Sequence, residues 1–201
     1  MKKKISIMAF DDGQHSKEDL AKYIKKTDFI PTTPLVGVTT RGIQLLHLSY
    51  GKIEIDGTDS TNEVIRLFKK NPYRNEIRLI MIDSPTLGGF NPPNPFEIYE
   101  KTKIPILLLP GKKPKTIISE IYSQVFPERD EQIEILKKLP KIDSLIVSIN
   151  QDPKITREIF FHAIGITKKE IVELLKFLSE YSAIPEPLRL AHIAASSYLS
   201  R

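Results

Sequence analysis

Ile5-Ser6-Ile7-Met8-Ala9-Phe10-Asp11-Asp12-Gly13 is an apolar run, broken only by Ser6, that ends on two carboxylates and a glycine. Its length suits a buried strand, and segment 4–10 is read as one. A second run of the same kind, Ile77-Arg78-Leu79-Ile80-Met81-Ile82-Asp83, also closes on an acid. Two strands far apart in sequence thus each deliver a carboxylate at their C-terminal end, where a folded sheet brings such groups together.

The segments around these runs set the fold class. Residues 34–40 and 43–55 read as two more strands joined by a hairpin-type connection at Arg41-Gly42. A helix over 60–70 stops before Asn71-Pro72, and Asp59 precedes Ser60-Thr61-Asn62-Glu63, which reads as a capping box. Segment 84–95 is a loop crowded with glycine and proline, followed by a short helix near 96–101 and a strand at 104–109. Beyond Pro110 the pattern is mostly helical. Strand character returns in 145–149 and 159–166, and helices follow at 168–179 and about 187–199. Three successive strands, a crossover helix and two further strands is the order of an RNase H-like α/β core, with a central mixed sheet of five strands or slightly more. In that order the first and fourth strands are neighbours, so Asp11 lies beside Asp83. The helix after the third strand packs over the same sheet, so an acid at its start can complete a set of three.

At 201 residues with 40% hydrophobic content, the chain is sized for one core, and a single domain over 1–201 is expected. The absence of cysteine excludes disulfides and thiolate metal sites. The apolar stretch after Met1-Lys2-Lys3-Lys4 is too short for a signal peptide or a spanning helix, so a soluble, cytoplasmic protein with no membrane partner is expected. The net charge of +5 is unevenly spread, over Lys2 to Lys4, Lys25-Lys26, Lys69-Lys70 with Arg74 and Arg78, Lys112-Lys113 with Lys115, and Lys137-Lys138 with Lys141. Such clusters attract a polyanion, or serve only as solubilising groups at helix ends.

Each acidic motif has a chemical and a structural reading. Asp11, Asp59 and Asp83 together suggest a metal-bound phosphodiesterase centre, because hard carboxylate oxygens suit Mg²⁺ or Mn²⁺. Asp12 points to the other face by strand alternation. Asp11-Asp12-Gly13 and Asp56-Gly57 are also ordinary turn sequences, and Asp56 competes with Asp59 as second ligand. In the 84–95 loop, Gly88-Gly89 allows close approach to a nucleic-acid backbone, and Phe90 either stacks on a base or tucks into the core. Arg189 and His192 are three apart on one helix face, where Arg189 can fork onto a phosphate and His192 can donate a proton; a lone histidine in apolar company is also commonly structural. His15, His47 and His162 have no ligand-like spacing.

The chain resembles the endonuclease dU family, a mainly archaeal group related to endonuclease V. The resemblance is carried by Phe10-Asp11-Asp12-Gly13, Leu35-Val36-Gly37-Val38-Thr39-Thr40-Arg41-Gly42, Ile55-Asp56-Gly57-Thr58-Asp59-Ser60-Thr61, Ile82-Asp83 with Gly89-Phe90-Asn91, and Ile184-Pro185-Glu186-Pro187-Leu188-Arg189-Leu190-Ala191-His192. It implies a metal-dependent endodeoxyribonuclease that nicks DNA near a deaminated base, deoxyuridine above all, with hypoxanthine as the other candidate. It further implies that Asp11, Asp83 and an acid of 56–59 hold Mg²⁺ or Mn²⁺, with His192 near the scissile phosphate. Gly89, Phe90, Asn91 and Arg189 are the candidate substrate contacts. The chain departs from the family pattern at Asp83-Ser84-Pro85 and at Pro92-Pro93-Asn94-Pro95, within the substrate loop. That departure motivates an alternative, a non-catalytic nucleic-acid or protein-binding module on a decayed RNase H-like scaffold.

Overall fold

Side chains alternate across a strand, so the two acid-ended runs each present one apolar row to either face of a sheet. The computed structural model of the protein describes residues 5–13 and 30–197. Among the described residues seven strands form one mixed sheet: β1 (Ser6–Asp12), β2 (Thr32–Arg41), β3 (Gln44–Glu54), β4 (Ile77–Ile82), β5 (Ile106–Leu108), β6 (Asp143–Ser148) and β7 (Thr156–Ile164). Their spatial order is β3-β2-β1-β4-β5-β7-β6. β1 is antiparallel to β2 but parallel to β4, and β4 is parallel to β5. The first five strands therefore have the RNase H-like order expected, and the β6–β7 hairpin extends the sheet past β5 through antiparallel pairing. β5 is shorter than the segment 104–109 because Pro105 and Pro110 bracket it, and neither has an N–H for the ladder.

The described helices are α1 (Ser60–Lys70), α2 (Pro95–Thr102), α3 (Ile118–Val125), α4 (Asp130–Lys137), α5 (Lys168–Leu178) and α6 (Glu186–Ser197). α1 begins where the sequence places it, but no capping box forms, since the Asp59 side chain makes no cap bond and Glu63 pairs with Arg66 instead. The box is found at α5, where Thr167 and Glu170 cap each other's backbone N–H. None of the described helices is long and apolar enough to cross a membrane. Lys2 to Lys4, His15, Lys25-Lys26 and the last two positions of the helix expected over 187–199 lie outside the described residues.

Two cores flank the sheet. Ile7 and Ala9 of β1, Val36 and Val38 of β2, and Leu79 and Met81 of β4 pack with Leu174 and Leu178 of α5 and Leu188, Ala191 and Ala195 of α6. On the opposite face Met8, Phe10, Leu35, Ile80 and Ile82 pack with Val64, Leu67 and Phe68 of α1 and Ile98 of α2. Asp11 lies two residues beyond Ala9 and Asp83 two beyond Met81, so alternation aims both at the α6 face. α1 lies on the other face, and the acid at its start does not share the side of the sheet that Asp11 and Asp83 occupy.

Candidate active site

Parallel pairing of Phe10 with Ile82 puts Asp11 and Asp83 at the same end of adjacent central strands. The backbone N–H of Asp83 donates to the carbonyl of Phe10, which continues the pairing to the acids themselves. Helix α6 lies directly over this end. A Cβ on Gly13 would meet the Ala195 carbonyl at 3.0 Å and Pro34 Cγ at 2.8 Å, so glycine is what lets helix and strand end approach. The buried stripe Leu188, Ala191 and Ala195 fixes the rotation of α6 and turns His192 toward β1.

Asp11 is only 4% exposed. Its Oδ2 accepts from His192 Nδ1 at 2.8 Å and its Oδ1 accepts from the Asp12 N–H at 2.9 Å. With Nδ1–H donated to the carboxylate, the imidazole keeps Nε2 for another partner, and the His192 side chain is 64% exposed. Burial, and next the charge of Asp83, push the Asp11 carboxyl up to about 7, although the hydrogen bond from His192 opposes the shift. Burial also raises the Asp83 carboxyl; His192 and Arg157 act against the rise and Asp12 adds to it. The Asp83 carboxylate accepts no hydrogen bond from a described residue. Two desolvated carboxylates side by side, one without a donor among the described residues, are a costly arrangement that a cation relieves.

The structure places the remaining candidates differently. Asp59 turns back into its own loop, accepting from the Glu54 N–H at 3.1 Å and from Asn91 Nδ2 at 2.6 Å. Asp56 adopts a left-handed backbone with φ 54° and accepts the Phe90 N–H at 2.8 Å, while its carbonyl accepts from Arg129. No three His, Cys, Asp or Glu side chains of the described residues gather as a metal cluster. Arg189 gives Nε and Nη2 to the buried Glu186, both at 2.7 Å, rather than standing open beside His192. Phe90 packs edge-on against Tyr122 and Phe126, in the small core under α3 and α4. Gly89, at φ 79°, has no room for a side chain because a Cβ would come within 2.4 Å of Asp56 Oδ1. His162 donates its Nδ1–H to the Pro140 carbonyl, and burial lowers its pKa, consistent with a structural residue.

Asn91 is fully buried and works as a clamp. Its Oδ1 accepts the Ser60 N–H at the start of α1, and its Nδ2 donates to the Glu54 carbonyl and to Asp59. Replacing Asn91 with Ala strands three of these partners at once, so a stability loss of about 3 kcal/mol is expected in urea unfolding. A loss below about 1 kcal/mol, within the range of an ordinary surface change, would refute the clamp.

Arg157 was missed by the sequence reading. It stands on β7, is exposed, and lines a cleft that runs from Asp83 between Pro110, Gly111 and the Ile184-Pro185 turn. Locally it is one charge between Thr156 and Glu158, and only the pairing of β7 with β5 brings it to the carboxylates.

Comparison with known proteins agrees with this architecture. The sequence model of the endonuclease dU family matches residues 3–199. A UPF0215 protein of Thermococcus sibiricus is 31% identical over 202 residues, covering all of this chain and 95% of the relative. One from Archaeoglobus fulgidus is 29% identical over 165 residues, covering 82% and 85%. Among solved structures, a protein of unknown function from Archaeoglobus fulgidus superposes with a TM-score of 0.75 at 24% identity over 96% of both chains. Ciona intestinalis endonuclease V, in complex with a 24mer DNA containing an inosine followed by a ribo-adenosine, gives 0.52 at 13% identity over 94% of this chain and 82% of that one. The fold is the RNase H-like fold of endonuclease V.

Proposed function

This chain belongs to the endonuclease dU family, and from that premise we propose that it is a metal-dependent endonuclease that hydrolyses a DNA phosphodiester beside a deaminated base, with deoxyuridine the first candidate. The observation that supports this most is the pairing of Asp11 and Asp83 on one face of adjacent parallel strands, with His192 against Asp11.

The donor set fits Mg²⁺ or Mn²⁺: both groups are hard oxygens, and Mg²⁺ characteristically takes one or two carboxylates and fills its other positions with water and substrate phosphate. Asp11 and Asp83 would hold the ion, which when bound supplies a water nucleophile at neutral pH and charge neutralisation at the phosphate. Asp59, the third expected ligand, serves in this reading to shape the turn that Asn91 clamps. His192 holds a proton on Nδ1 against Asp11 and offers Nε2 to the phosphate or its leaving oxygen. His192→Ala is therefore expected to lower kcat by about 10²- to 10³-fold. Thermal stabilisation by Mg²⁺ should persist in that variant, and an unchanged kcat would remove the histidine from the reaction.

A binding module without catalysis is the second reading, favoured by the lack of a third ligand beside the pair among the described residues. Matched labelled oligonucleotides carrying one uracil, one hypoxanthine or no lesion, incubated with Mg²⁺, Mn²⁺ or EDTA, separate the two. Metal-dependent nicking near one lesion supports the nuclease and identifies its base. Retained DNA binding with no cleavage supports the module.

A further inference from the structure

The β6–β7 hairpin lies outside the five-stranded core, yet it is stitched down with care. Its connection runs along the end of α5: the Asn150 N–H donates to the Ser179 carbonyl at 2.9 Å and the Gln151 N–H to the Glu180 carbonyl at 3.3 Å. The side chains of Asn150 and Gln151 both donate to the Glu180 carboxylate, at 2.9 and 3.1 Å. The first residues of β7 are thereby held in place, and the side chain they carry toward the acidic pair is Arg157.

Arg157 is placed for a ligand. Its Nη2 donates to the Gly111 carbonyl at 2.7 Å, which fixes the guanidinium at the mouth of the cleft. It makes no ion pair with a described residue, so the other donors of its planar fork are uncommitted. It shares the cleft with Asp83 and eases the cost of ionising that acid, although the two are not in ion-pair contact. A cation one step back from a carboxylate pair suits a third party between them, and a phosphodiester held at Asp11 and Asp83 presents further oxygens on that side.

Resting on the nuclease reading above, we propose that Arg157 is a substrate-positioning residue that grips a phosphate of the bound DNA strand at or next to the scissile bond, and that the β6–β7 hairpin serves to hold it there. The Asn150, Gln151 and Glu180 contacts make the grip rigid, so the arginine orders the strand without itself being ordered at the moment of binding.

The test compares wild type with Arg157→Gln and Arg157→Lys on one fluorescein-labelled uracil-containing oligonucleotide. Cleavage is followed with Mg²⁺, and binding by anisotropy in EDTA across a salt series. Loss of one charged phosphate contact is expected to raise KM roughly tenfold with kcat changed far less. The slope of log affinity against log salt should fall by about 0.7 to 0.9. Arg157→Lys should restore the slope while recovering only part of the KM, because a lysine keeps the charge and loses the fork. Mg²⁺-induced thermal stabilisation should match wild type in both variants, whereas a mere counter-ion of Asp83 would alter it. If wild type cuts and Arg157→Gln leaves KM and the salt slope unchanged, the grip is wrong and the nuclease reading stands. If wild type binds without cutting, the nuclease reading fails, and the salt slope alone decides the contact. If wild type neither cuts nor binds, both fall.

Discussion

Asp83→Asn is expected to abolish cleavage, with a loss of at least about 10³-fold that corresponds to roughly 4 kcal/mol of transition-state stabilisation. The same substitution should raise the melting temperature of the metal-free protein at pH 8. Both outcomes have one cause. The Asp83 carboxylate sits at the end of an apolar strand beside the buried Asp11 and accepts no hydrogen bond from a described residue, so in the metal-free state its charge is a burden. Asparagine keeps the volume and removes the charge. Asp11→Asn is a less clean probe, because it also disturbs the hydrogen bond to His192. A variant that cuts as well as wild type would sink the ligand assignment, and one that loses activity and stability together would mark Asp83 as structural.

The placement of this pair was legible in the sequence because it depends on short-range rules. Alternation fixes the face of each acid from its own strand, and the order of strands and helix makes β1 and β4 neighbours. Asp59 was harder to read for a related reason. The helix start was recognised locally, but which face of the sheet α1 covers is decided by its packing on Met8, Phe10 and Ile80, which no local pattern around Asp59 reports. Phe90 and Asn91 lie in a glycine-containing loop. Of the two readings of Phe90 the structure shows the core one, packing on Tyr122 and Phe126 from well downstream, which no local pattern could select, and Asn91 fastens the Glu54 to Ser60 turn. Arg189 was correctly placed on a helix face with His192, and its commitment to Glu186, three residues earlier, follows from the same spacing rule. Arg157 was invisible for the opposite reason to Asp83: strand pairing alone gives it a role, and its immediate neighbours Thr156 and Glu158 are polar.

The stability of the metal-free protein should fall as pH rises from about 4 to about 7, and divalent ions should reverse the fall. Asp11 has a folded-state pKa of about 7 against an ordinary value of 3.8. The folded state therefore holds the proton more tightly than the unfolded chain, and stability present below the ordinary value is lost as the pH climbs to the raised one. The full span is on the order of 4 kcal/mol for this group, and the upward shift of Asp83 acts in the same direction. Above pH 7 the Asp11 carboxyl is charged, which is the state a cation binds. Mg²⁺ or Mn²⁺ at one hundred times its dissociation constant then adds about 2.7 kcal/mol, a rise of roughly 5 to 10 °C in a chain of this size. At pH 5 protons compete for the same oxygens, so the rise should nearly vanish. Thermal melts at pH 5 and pH 8, with EDTA or with 10 mM of either ion as an order-of-magnitude excess, measure both trends without reference to any substrate. In Asp11→Asn the fall with pH should flatten and the response to metal should weaken. A metal response that survives in Asp11→Asn/Asp83→Asn would place the ion elsewhere on the protein, and would leave the two acids without a partner to explain their burial.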